Sequence, residues 1–143
     1  MKKLVSVSAI IMVCVICVLS LAGCGDRTLD GKYKTVDAYL ADPIVKATLE
    51  ESLGSDTDTM AIEVKAEGSN LVYEYAFTET YEADLLDIMK SSLESSTTAN
   101  EATFKDVANS LKDVVAGDDL GVIVRYLNGD GTVIFEATYK ADK

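Results

Sequence analysis

Between Met60 and Phe77 the chain alternates so strictly that few backbone arrangements accommodate it. Met60, Ile62, Val64 and Ala66 take one side, while Ala61, Glu63, Lys65 and Glu67 take the other. After Gly68-Ser69 the alternation resumes, with Leu71, Tyr73, Tyr75 and Phe77 set against Val72, Glu74 and Ala76. A period of two belongs to a half-buried strand, and a two-residue loop that opens with glycine signals a hairpin. Turning the chain at Gly68-Ser69 pairs Ala66 with Leu71, Val64 with Tyr73, Ile62 with Tyr75 and Met60 with Phe77. The large apolar side chains then share one side, and a slip of one residue would turn them all to the other.

The end of the chain repeats the device. Leu120, Val122, Val124 and Tyr126 alternate with Gly121, Ile123, Arg125 and Leu127. Asn128-Gly129-Asp130-Gly131 is strong turn chemistry, and Val133, Phe135, Ala137 and Tyr139 then return to the inner face. Helical periodicity fills the remainder. Thr35 is an N-cap for Val36–Leu40, with Asp37 in the first turn, where the helix dipole favours it. Asp42-Pro43 restarts the helix, aspartate as cap and proline at the first helical position. Ile44, Val45, Ala47, Leu49 and Leu53 form its stripe, and Gly54 suits its end.

Thr80 can cap a further helical region carrying Leu85, Leu86, Met89 and Leu93. The stripe returns at Phe104, Val107, Ala108, Leu111, Val114 and Val115 after a polar stretch, Ser95–Asn100, that is poor in helix formers. One long helix or two broken near Thr98 fit residues 80–116 equally. The order helix, hairpin, helix, hairpin predicts a two-layer α+β domain. It consists of a four-stranded antiparallel sheet with the helices packed on one face.

Ahead of this domain, Met1-Lys2-Lys3 gives a basic start, and Leu4 to Gly23 carry no charge. That arrangement is a secretory signal peptide. Its ending, Leu21-Ala22-Gly23-Cys24, resembles the bacterial lipobox. The resemblance implies cleavage between Gly23 and Cys24 and a lipid on the Cys24 thiol. An uncleaved transmembrane anchor is the alternative, since about 20 apolar residues cross a bilayer. The chain thus divides into a signal peptide (1–23), a lipidated cysteine with a short tether (24–34) and one α+β domain (35–143). Cys14 and Cys17 leave with the signal peptide, so the mature chain keeps only Cys24 and has no disulfide framework. The formal charge of −11 becomes −13 when Lys2 and Lys3 are removed. That acidic excess argues against nucleic acid and against docking on anionic headgroups.

Little catalytic chemistry is legible. The chain has no histidine, which removes Ser-His-Asp and Cys-His mechanisms and most zinc sites. No glycine-rich phosphate loop follows a strand. Asn128–Val133 imitates part of an EF-hand loop, but Tyr126 and Ala137 would occupy positions that need carboxylates, so it reads as a turn. Asp56-Thr57-Asp58 and Asp118-Asp119 read as solvated connections, with a divalent-cation site the alternative if the two loops meet. No cofactor, metal ligand set or catalytic residue is expected.

A surface is the better candidate. With helices on one face, the other displays Val72, Glu74, Ile123, Arg125, Leu127, Ile134 and Glu136, more apolar than an open face needs.

The lipobox, the entry Gly31–Leu40, the strand Leu71-Val72-Tyr73-Glu74-Tyr75 and the ending Val124–Ile134 together resemble a family of small acidic lipoproteins from Gram-positive anaerobes. That family is a domain of unknown function, so the resemblance implies location and fold and no active site. The expected role is a membrane-anchored, non-catalytic binding or accessory module on the extracytoplasmic face of the cell membrane. Its partners would be the membrane, through Cys24, and an envelope or extracellular protein, with no nucleic acid. The alternative is a surface receptor for a small ligand or cation, using the acidic loops or a pocket near Tyr73, Tyr75 and Tyr139.

Overall fold

A computed structural model describes residues 27–53 and 58–143. The expected signal peptide (1–23), Cys24, Gly54 and Asp56-Thr57 lie outside the described residues. Helix α1 (Val36–Ala41) is capped by Thr35, whose Oγ1 accepts from the Ala38 amide at 3.0 Å. Asp42 ends α1 in extended backbone and its Oδ1 accepts from the Ile44 amide at 2.9 Å, starting α2 (Pro43–Leu53). Val36, Tyr39, Val45 and Leu49 are buried, while Ile44, expected in the stripe, is 42 % exposed.

Strands β1 (Met60–Glu67) and β2 (Asn70–Phe77) form the first hairpin in the predicted register, Ala66 opposite Leu71 and Met60 opposite Phe77. Gly68 supplies the left-handed residue of the turn at φ +59°, a conformation that glycine adopts without steric cost. Strands β3 (Gly121–Leu127) and β4 (Val133–Lys140) form the second hairpin.

The sheet order is β1-β2-β3-β4, but β2 and β3 run parallel, Asn70 beside Gly121 and Ala76 beside Leu127. The expected all-antiparallel sheet is therefore corrected to a mixed one. The reason lies in the connection. Parallel neighbours need a crossover of a dozen or more residues, usually helical. Residues 78–120 supply one, carrying the chain over the sheet and back to the end where β2 began.

That crossover holds two helices, α3 (Ala83–Ala99) and α4 (Glu101–Val114), separated by Asn100 alone. Asn100 has φ −105° and ψ 11°, outside the helical well, and its side-chain amide donates to the Ser96 carbonyl at 2.8 Å. Thr97 donates to the Leu93 carbonyl at 2.6 Å. Such short polar side chains compete for backbone groups within a helix, which explains a break here. The start differs from expectation. Glu82, not Thr80, holds the N-cap position, and it makes no side-chain cap.

One core joins the helices to the inner sheet face. Phe104, Val107, Ala108 and Leu111 of α4 meet Tyr73, Tyr75, Val122, Val124 and Tyr126. Tyr75 stacks on Tyr126 at 4.9 Å and Phe104 on Tyr139 at 5.3 Å between ring centroids. The β3–β4 register shifts between Tyr126 and Leu127, pairing Tyr126 with Phe135 and Leu127 with Val133. Ile134 is the extra residue of this bulge and is buried, whereas Val133, expected on the inner face, is 51 % exposed.

The stretch read as a tether is knitted into the domain from Arg27 onward. Tyr33 pairs with both Arg27 and Val115. Its amide donates to the Val114 carbonyl at 2.8 Å, and the Ala116 amide donates to its carbonyl at 2.8 Å. Inside, the buried Tyr33 hydroxyl donates to Asp42 Oδ2 at 2.6 Å. Asp42 thus both caps α2 and anchors the N-terminal segment, and the Tyr33 hydrogen bond holds its carboxyl below the usual range. Among the described residues no helix is long and apolar enough to cross a membrane.

Candidate interaction face of the sheet

Each described helix sends its buried side chains to the inner face, so the opposite face is left to side chains from the strands. The register fixes what that face presents. Lys65, Val72, Ile123 and Thr138 lie in one row across the four strands. Glu63, Glu74, Arg125 and Glu136 lie in the next. All seven residues expected there (Val72, Glu74, Ile123, Arg125, Leu127, Ile134, Glu136) come from this side of the alternation or from the bulge beside it.

Arg125 organises the face. Its Nε donates to Glu136 Oε2 at 2.6 Å, and its Nη1 donates to Glu74 Oε2 at 3.2 Å. A two-pronged pair reaches Glu67, Nη1 to Oε1 at 2.6 Å and Nη2 to Oε2 at 2.9 Å. The planar guanidinium fork is suited to such bidentate geometry. Lys65 closes the network on Glu74 at 2.7 Å.

Glu67 sits two strands across and two rows beyond Arg125, so their pair spans the sheet above Val72. That roof accounts for Val72 being fully buried on a face with no described helix over it. Ile123 and Ile134 are buried as well, so the apolar part of this face is less open than its composition suggests. Leu127 is half-buried.

The electrostatics follow from this geometry. Three carboxylates around the guanidinium hold Arg125 firmly in its charged form, Glu67 contributing most. In return the Arg125 hydrogen bonds lower the Glu67 carboxyl. Four glutamates (Glu63, Glu67, Glu74, Glu136) against Arg125, Lys65 and Lys140 leave the face with one net negative charge. It can order charge and shape for a partner. Glu67 was not singled out from the sequence, although the β1 alternation puts it on this side.

The other candidates separate. Tyr73 and Tyr75 are buried in the core, and Tyr139 packs on Phe104. A groove of about 500 Å³ opens instead between the first two helices and β1, lined by Leu40, Leu49, Ile62 and Val64 with Lys46 and Glu63. Among the described residues no three acidic or thiol side chains converge as a metal site would need. Asp119 ion-pairs with Lys140 at 3.2 Å. The Asn128 turn does structural work. Buried Asn128 accepts from the Tyr81 amide at 2.8 Å and donates to the Tyr81 carbonyl at 3.1 Å.

Residues 36–139, from the first residue of α1 to within one residue of the end of β4, match a family described as Domain of unknown function (DUF4854). The chain belongs to this family. No protein with a curated description matches it, and no solved structure does. The DUF4854 match takes in both hairpins, the crossover and all seven expected face residues. It begins after the Arg27–Thr35 segment.

Proposed function

We propose that this DUF4854 protein is a lipid-anchored, non-catalytic binding module, held at the extracytoplasmic membrane surface through Cys24, whose outer sheet face receives an envelope or extracellular protein. The lipobox and the uncharged run before it support the anchor. The observation that carries the binding role is the Arg125 network. A face whose ionic side chains are already fixed loses little conformational entropy when a partner arrives. Its negative excess and its half-buried apolar edge at Leu127 suit a partner presenting basic side chains around an apolar contact.

A photo-crosslinking residue at Thr138, exposed on this face, tests the reading in native membranes beside the same residue at Asp106, exposed on α4. The proposal expects a discrete adduct from position 138 alone, lost when Glu63→Lys and Glu136→Lys are combined in a variant that keeps its circular dichroism. Matching adducts from both positions, or none from 138, would overturn it.

A second reading, a receptor for a small ligand, draws on the groove beside β1, whose apolar walls are flanked by Lys46 and Glu63. Such a ligand would be amphipathic, with its apolar part between Leu49 and Val64. Filling the groove with Ala41→Trp would abolish its binding and leave the crosslink at 138 intact.

A further inference from the structure

The first described residues form a small, rigid projection rather than a loose leash. The Thr28 amide donates to the Lys32 carbonyl at 2.6 Å, and the Gly31 amide donates to the Thr28 carbonyl at 3.0 Å. Gly31 takes φ +82°, where a glycine is favoured. Arg27 braces the base of this turn. Its Nη1 donates to the Gly31 carbonyl and its Nη2 to the Tyr33 hydroxyl, each at 2.9 Å, with the guanidinium carbon 4.5 Å from the Tyr33 ring centre. Tyr33 is in turn fixed to Val114, Ala116 and Asp42.

At the tip stands Leu29, 107 % exposed, the most exposed of the large hydrophobic side chains among the described residues. A braced turn that offers a leucine wholly to solvent gains nothing from it within the fold. Position supplies a reason. Cys24 lies three residues before Arg27, a reach of at most about 10 Å in extended chain. Charge agrees with position. From Cys24 to Lys34, Arg27, Lys32 and Lys34 against Asp26 and Asp30 leave one positive charge, in a mature chain that carries −13.

We propose that the Thr28–Gly31 turn is a membrane-contacting tip: Leu29 enters the bilayer interface beside the Cys24 lipid, with the base of the turn at Arg27 at headgroup level. The inference rests on the lipid-anchor reading. It deepens that reading by giving the domain a fixed approach to the bilayer. Lipid chains supply the affinity; the tip supplies the orientation. It also marks a local exception to the acidic excess, which repels the rest of the domain from anionic headgroups.

The chain has no tryptophan, so Leu29→Trp places a unique fluorophore at the tip. The full-length variant, expressed in its own host and extracted from membranes, is reconstituted into phosphatidylglycerol/phosphatidylcholine vesicles with or without brominated acyl chains. Flotation of the vesicles reads the anchor, and tryptophan emission reads the tip. The control is Val133→Trp, exposed at the start of β4 away from the N-terminal segment. The proposal expects blue-shifted emission from position 29 and loss of most of it in brominated vesicles, with position 133 unquenched. A protein that floats while position 29 stays unquenched overturns the tip and leaves the anchor standing. A protein that fails to float overturns both.

Discussion

Arg125 is the residue on which the outer face depends, and its removal has consequences beyond charge. Four of its N–H donors are committed to three carboxylates, one of which, Glu74, is itself buried. Arg125→Ala uncovers Val72 and leaves Glu74 with Lys65 alone. Stranding a buried acceptor costs roughly 1–3 kcal/mol, and urea unfolding should show a loss of that order. The same network responds to acid. Glu67 titrates below its ordinary 4.5 in the folded state, so its stabilisation is present above that value and is lost as pH falls through the lowered one. Glu67→Gln should flatten that part of the acid stability profile. Buried tyrosines act at the other end. Burial pushes Tyr39 up to about 12 from 10.0, and Tyr126 rises as well. Their contribution is full below pH 10 and is lost as pH rises beyond it, through about 12 for Tyr39 and higher for Tyr126. Tyrosinate absorbance should therefore appear together with loss of circular dichroism, and ionisation of the full set in a still-folded protein would contradict the burial.

At the scale of elements, the alternating segments were legible because burial on one face leaves a strand only one register. The first hairpin follows its sequence pattern residue for residue. The α4 stripe was equally plain, and Leu111→Ala, which empties a buried site, should cost about 2–5 kcal/mol in urea unfolding. Strand direction was not legible. Val72 beside Ile123 satisfies the same alternation whether the strands run parallel or antiparallel, and only the path of the crossover decides. The bulge was hidden for a related reason: Val133 and Ile134 are both apolar, so the pattern cannot say which is displaced. Asn128 read as turn chemistry alone, since its second role needs Tyr81, which is distant in sequence. Asn128→Ala would remove the partners of the part-buried Tyr81 amide and carbonyl, and a loss of roughly 1 kcal/mol is expected. Hydrogen exchange should locate that loosening at residues 79–82.

On the scale of the whole molecule, the N-terminal segment changes what the proposed anchor would do. The sequence of Gly25–Lys34 is short and polar and reads as a tether. Tyr33 and Asp42 make it part of the domain, through contacts that composition does not reveal. Three residues separate Cys24 from Arg27, so the proposed anchor would hold the outer face at a set attitude to the bilayer. The face itself was only partly legible. Alternation placed its members, but the pairing that roofs Val72 joins residues 58 positions apart. The most direct measurement is the mass of the N-terminal peptide of protein extracted from its native membrane. A peptide beginning at Cys24 and carrying a diacylglycerol is the predicted result; one beginning at Met1, or at Cys24 without lipid, would contradict the account.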